Sequence, residues 1–206
     1  MDVTQDLVDI FAGSPRLANH FHMPLQSGSD RTLARMHRWY RAEHYARRVE
    51  LVRERLPHAA IGADVLTGFP GESGADHAAT VAFIESLPFT YLHVFSYSAR
   101  PGTKAAALPD QIPGTIIKGR AQELRALSEA KAANFRQFQI GRTLRVLTLR
   151  SDADSDSANT PALSSNYLRV LVPGKWPPNQ WHEVKIVAEA GNYLVGQPAA
   201  AEPVLV

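Results

Sequence analysis

The sequence predicts an α/β chain: parallel strands covered by helices, followed by a small antiparallel β-barrel. Three observations carry this. Up to about residue 140 short apolar runs alternate with longer helical patterns. Those runs are near-continuously apolar, as expected of parallel strands packed by helices. Beyond Gly141 the rhythm changes to short strands separated by polar turns, the habit of a small barrel.

Taken in order, Asp2 to Ala12 reads as a helix and NHFHMPLQ, 19–26, as a strand. Helices follow over 30–37 and 42–56. In the second, Tyr45, Val49, Val52 and Leu56 recur at helical spacing. Ala59 to Thr67 reads as a strand, 75–87 as a helix opened by a Ser73/Asp76 capping box, and YLHVFSYS, 91–98, as a third strand. Three strands cannot close a barrel, so the parallel part is partial. A long helix over 114–138 shows Ile117, Ala121, Leu124 and Leu127 as its buried stripe, and Gly141 supplies the left-handed residue that helix ends favour. The strands expected after it are 143–150, 166–173, 181–190 and 192–197, with loops at 151–159 and at PGKWPPN. The organisation is therefore 1–112 for the parallel part, 113–140 for the connecting helix and 141–206 for the small barrel.

Composition narrows the chemistry. With 206 residues, 45% of them apolar, the chain supports one sizeable domain and a smaller one. It contains no cysteine, which excludes disulfides and any thiolate-held zinc or iron–sulfur centre made by this chain alone. No apolar run approaches the roughly 18 residues of a membrane helix. The first residues carry acids where a signal peptide carries bases, so a cytoplasmic location is expected. Net charge is only +2, yet residues 31–55 hold eight arginines against three acids, an attraction for a polyanion or a solvated helix face.

In parallel α/β folds ligands meet the carboxyl ends of the strands. Here those ends are PLQSGSD, GFPGES and YSARPGT, each combining small residues with polar ones. The runs HFHMPLQSGSD (20–30), DVLTGFPGE (64–72) and YSARPGT (97–103) resemble the second half of the radical S-adenosylmethionine barrel of the methylthiotransferase family. The segment from Leu163 to Gln197 resembles that family's C-terminal TRAM domain, an RNA-binding barrel. Within the family, YLHVFSYS and NYLRV are most similar to the tRNA N6-threonylcarbamoyladenosine branch.

The resemblance implies tRNA as partner, and S-adenosylmethionine with [4Fe–4S] clusters as cofactors; the clusters' cysteine ligands are absent from this chain. It also implies that Met1 falls mid-barrel, so a missing N-terminal half of the same protein is an expected partner and the chain alone is expected to be inactive. A non-catalytic RNA-binding module is the alternative. Two departures stand out: Ala99 replaces the usual Pro beside Arg100, and Arg41 replaces a Thr that would cap a helix.

Implied cofactor contacts are Gln26, Ser27, Asp64, Gly68, Glu72, Tyr97 and Arg100; no catalytic residue is assigned. Gln26 and Ser27 would end their strand at the cofactor, although the same run is a turn with Ser29 as a helix cap. Glu72 either contacts the ligand or secures the Gly68-Phe69-Pro70-Gly71 turn. Arg100 suits a carboxylate or phosphate. His20 and His22 share a strand face, and with no third ligand evident nearby they read as a polar lining, not a metal site. For RNA, Tyr167, Arg169, Lys175, Trp176 and Trp181 are the candidate surface, with Tyr167 and Trp181 equally able to fill the barrel core.

Overall fold

The computed structural model describes residues 3–150 and 158–199. These fall into two compact units: His20–Ala132 with the first helix, and the residues from Ala133 together with Arg16–Asn19.

In the first unit α1 spans Gln5–Gly13, capped by Thr4, whose hydroxyl accepts from Leu7 N. It starts later than expected, and Asp2 lies outside the described residues. Strand β1 is only His20–His22. Pro24 has no N–H to continue the ladder, and Gln26 adopts φ 68°, so pairing resumes only as an isolated bridge between Gln26 and Val65. Helix α2, Asp30–Arg35, is capped by Ser29 as expected. Helix α3, Ala42–Arg55, receives no cap from Arg41; instead Asp30 Oδ1 accepts from Ala42 N at 2.8 Å, so the neighbouring helix supplies the missing oxygen. Strand β2 is Ala60–Thr67 and helix α4 Gly74–Ser86, the latter opened by the Ser73/Asp76 capping box. Strand β3, Tyr91–Ser96, precedes α5, Gly114–Gln137.

The sheet runs β1-β2-β3, wholly parallel, with Phe21 opposite Ile61 and Asp64 opposite His93. One face carries Phe21, Met23, Leu25, Ile61, Ala63, Val65 and Leu92, which pack with Val49 and Val52 of α3 and Ile84 of α4. Each such large side chain stabilises the fold by roughly 1.5–3 kcal/mol relative to exposure. Helix α5 lies along β3, where Ser128 Oγ accepts from Leu92 N at 2.8 Å and donates to Leu92 O at 3.2 Å. The strands are less uniformly buried than a fully covered parallel sheet requires. On the other face β1 and β3 place His22, His93 and Phe95, all exposed, with Asp64 between them.

The second unit holds β4 (Thr143–Thr148), β5 (Asn159–Ser164), β6 (Arg169–Pro173), β7 (Trp181–Ala190) and β8 (Tyr193–Pro198). They close into a barrel in the order β4-β5-β6-β8-β7. All pairs are antiparallel except β6 with β8, which corrects the wholly antiparallel expectation. The reason is parity: directions cannot alternate all the way round a closed ring with an odd number of strands. Strand β5 was not anticipated, because it carries Pro161 and adjoins a Ser/Asp/Ala-rich run; positions 151–157 of that predicted loop lie outside the described residues. Asn166 and Tyr167 form a turn ahead of β6, with Ser164 Oγ accepting from Leu168 N at 2.9 Å and Tyr167 at φ 63°. Val146, Val170, Val172, Val184, Ile186 and Leu194 make the core.

Candidate functional site

The three predicted strand ends do converge. Leu66 N donates to Gln26 O at 2.9 Å, and Tyr97 N donates to Thr67 O at 2.9 Å, so Gln26, Thr67–Gly68 and Tyr97 occupy adjacent positions at the carboxyl edge of one parallel sheet. Tyr97 packs edge-on against Phe69, ring centroids 5.7 Å apart. Its hydroxyl is buried and has no hydrogen-bond partner among the described residues. A buried polar atom left without a partner is uncommon; among the described residues Thr32 Oγ1, Arg35 Nη2 and His182 Nε2 share that condition.

Glu72 secures the turn that precedes it. Its carboxylate accepts from Gly68 N at 3.0 Å and from Arg120 Nη1 of α5 at 2.6 Å, and Arg120 Nη1 also donates to Glu72 O at 3.0 Å. His77 Nδ1 stands 4.0 Å from the same carboxylate, and its Nε2 lies 2.7 Å from Glu123 Oε2. Glu72 is 6% exposed, so this is a buried, hydrogen-bonded charge pair. The turn's two left-handed glycines, Gly68 at φ 82° and Gly71 at φ 80°, need their freedom, and their bare Cα positions are filled. A Cβ on Gly68 would meet Ile117 Cγ1 at 2.5 Å, and one on Gly71 would meet the Arg35 guanidinium at 2.4 Å. Arg31 and Arg35 clamp the turn's backbone, donating to Gly71 O at 2.6 Å and Pro70 O at 3.0 Å.

Ser27 also turns inward. Its hydroxyl lies 3.1 Å from Thr80 Oγ1 and accepts from Ser29 N at 3.1 Å, with the residue 1% exposed. Beside it Asp76 accepts from Arg31, Ser29 and Ser73. The Arg31 hydrogen bonds, joined by those of the two serines, hold the Asp76 carboxyl well below the usual carboxylate range despite its burial. Arg100 sits exposed in the loop after β3. Gln26 and Tyr97 thus stand at the sheet's carboxyl edge with Arg100 exposed in the loop beyond, whereas Ser27 and Glu72 are committed to contacts within the turns.

Asp64 belongs to a different constellation on the open sheet face. Its Oδ1 lies 3.0 Å from His22 Nε2 and 3.3 Å from His93 Nδ1. Tyr91 Oη is 2.7 Å from His20 Nε2 and 3.3 Å from His22 Nδ1. Burial, followed by the neighbouring His22 and His93, lowers the His20 pKa. The sequence reading took His20 and His22 as a pair without a third ligand; Asp64 and His93 complete the group. Parallel register brings them there, since His22 pairs with Gly62 and Asp64 with His93. The period-2 alternation Tyr91, His93, Phe95 was the available signal.

On the barrel, Tyr167 and Trp181 are 55% and 51% exposed, which removes them from the core. The Arg145 guanidinium sits 4.5 Å from the Trp181 ring centroid, and that of Arg169 5.9 Å from Tyr193. Arg145 and Tyr193 were missed by sequence reading, because cross-strand pairing defines them. Trp176 departs from a free stacking platform: it packs against the core, donates from Nε1 to Pro173 O at 2.9 Å and meets His182 edge-on at 4.4 Å. Lys175 is exposed.

These features define a two-unit α/β protein: a parallel sheet whose strand ends converge, and a small closed barrel carrying arginine–aromatic pairs. Its homologues are tRNA-2-methylthio-N(6)-dimethylallyladenosine synthases. The protein of that name from Arthrobacter sp. (strain FB24) is 39% identical over 205 residues, 96% of this chain and 39% of the relative. Those from Thermobifida fusca (strain YX) and Chlorobium limicola (strain DSM 245 / NBRC 103803 / 6330) are 42% identical over 158 residues and 35% over 199, covering 77% and 96% of this chain and 32% and 45% of the relatives. The chain thus spans about two-fifths of the length of the curated relatives it matches. No family model matches it.

Proposed function

We propose that this chain is the C-terminal portion of a radical S-adenosylmethionine tRNA methylthiotransferase, with the parallel sheet contributing part of the cofactor barrel and the small barrel, TRAM-like, gripping tRNA. The carrying observation is similarity over nearly the whole chain to enzymes named for methylthio modification of tRNA. The names of these relatives favour a dimethylallyl-bearing adenosine over the threonylcarbamoyl one suggested by YLHVFSYS.

S-adenosylmethionine suits the mouth at one definite point, the buried Tyr97 hydroxyl that lacks a partner among the described residues. Gln26 and Arg100 would add an amide and a guanidinium for its ribose and carboxylate. Glu72 and Arg120 fix the Gly68–Gly71 turn beside the ligand and so keep the mouth's shape without touching the reacting atoms. A [4Fe–4S] cluster does not fit this chain's own residues, since there is no cysteine to ligate it. The second reading, an RNA-binding module without catalysis, is favoured by the exposed Trp181 with Arg145 beside its ring.

For RNA, Tyr167 and Trp181 offer stacking surfaces, with Arg145 beside Trp181 and Arg169 and Lys175 reaching phosphates. The test is fluorescence anisotropy with labelled tRNA. Binding should weaken steeply with salt, and Trp181→Ala should reduce affinity about 5- to 150-fold, as for loss of one base–aromatic stack at roughly 1–3 kcal/mol. Affinity no greater than that of a neutral control protein, or unchanged in the variant, refutes the RNA role.

A further inference from the structure

We propose that His22, Asp64 and His93 form a divalent-cation site of the two-histidine, one-carboxylate kind, suited to a first-row transition ion such as zinc. The inference does not depend on the function proposed above.

One ligand atom from each residue lies within 4.8 Å of the others. Zinc holds imidazole nitrogen and carboxylate oxygen at about 2.0–2.2 Å, so neighbouring donors around one ion stand roughly 3.0–3.5 Å apart. The spacings from Asp64 Oδ1 to His22 Nε2 and His93 Nδ1 are 3.0 and 3.3 Å. Those edges already have the dimensions of a coordination shell. Imidazole with carboxylate favours zinc and its first-row neighbours over calcium or magnesium, which prefer oxygen alone.

The surroundings orient the donors. With the ion on Nε2, His22 keeps its proton on Nδ1, facing Tyr91 Oη at 3.3 Å. The Tyr91 hydroxyl then donates to His20 Nε2 at 2.7 Å. Such an outer hydrogen bond fixes tautomer and ring orientation, and losing one typically weakens metal binding 10- to 100-fold. Gly62, opposite both His22 and Tyr91, makes room for this arrangement: a Cβ there would lie 2.0 Å from Tyr91 Cζ. The ligands come from three adjacent strands, a rigid base, and His22 and His93 remain exposed, which provides an approach path and open coordination positions. His22 also lines a cavity of about 290 Å³ with Arg38, Trp39 and Tyr40, wide enough for solvent or a small anion.

The experiment titrates the full chain with Zn²⁺ by calorimetry and with Co²⁺ by its visible absorption, with circular dichroism confirming the fold of each variant. One ion per chain is expected. His93→Gln and Asp64→Asn should each weaken binding at least tenfold, Tyr91→Phe should weaken it less, and His44→Gln, on the exposed side of α3, should leave it unchanged. Substoichiometric uptake, or the same affinity in His93→Gln as in His44→Gln, overturns the proposal. His93 is exposed, so its replacement reports on the ion and not on the fold.

Discussion

Replacing Glu72 by Ala should destabilise the sheet-bearing unit by about 3–5 kcal/mol, the usual consequence of removing one partner from a buried ion pair. The magnitude follows from what is left behind. Arg120, with its side chain 13% exposed, would keep a guanidinium with no carboxylate opposite it, and Gly68 N would lose its acceptor. Glu72→Gln separates the two effects. A single amide oxygen serves either Gly68 N or Arg120, so a loss of roughly 1–3 kcal/mol is expected. Glu72→Leu combined with Arg120→Met should recover part of the Ala deficit, since apolar replacement of a buried pair is often near neutral. Recovery stays incomplete because Gly68 N remains unpaired. Urea denaturation followed by circular dichroism measures all three. A Glu72→Ala change within about 0.5 kcal/mol of the parent, the range of an ordinary surface substitution, would refute the argument that this carboxylate holds the turn.

Gly62→Ala should destabilise by roughly 1–3 kcal/mol through overpacking against Tyr91, read as a lowered urea midpoint. Acid should weaken the first unit through Asp76. Its folded-state pKa is depressed, so its contribution is complete above the unfolded value of about 3.9 and fades as pH falls below it. Midpoints measured from pH 6 to pH 2 should show a slope that Asp76→Asn flattens. The chain incubated with iron and sulfide should stay colourless near 400 nm, roughly where thiolate-held clusters absorb; a stable chromophore held by this chain's own ligands would contradict the cysteine argument.

Helices and parallel strands were readable because their signals are local: Ser73 with Asp76 announces α4. Gly141, at φ 84°, is left-handed as expected but lies beyond the end of α5 at Gln137 and gives its N–H to Ile186 O at 2.8 Å. The strand-end mouth followed from a topological rule. What sequence hid was pairing. The closeness of Asp64 to His93 is invisible until register sets them side by side, and Glu72 stays ambiguous until Arg120, 48 positions later, is seen to reach it. Arg41 looked like a defect in capping because Asp30 lies on another helix. Strand β5 was concealed by Pro161, whose missing N–H is tolerated while its carbonyl accepts from Leu149 N at 2.8 Å.

The parallel seam between β6 and β8 makes β8 a keystone. Every other neighbour in the ring is joined through antiparallel ladders, but only β8 bridges β6 to β7. Without Tyr193–Pro198 the remaining four strands are a curled ribbon with two raw borders. The two ladders of β8, to β6 and to β7, therefore close the ring over Val170, Val184 and Leu194.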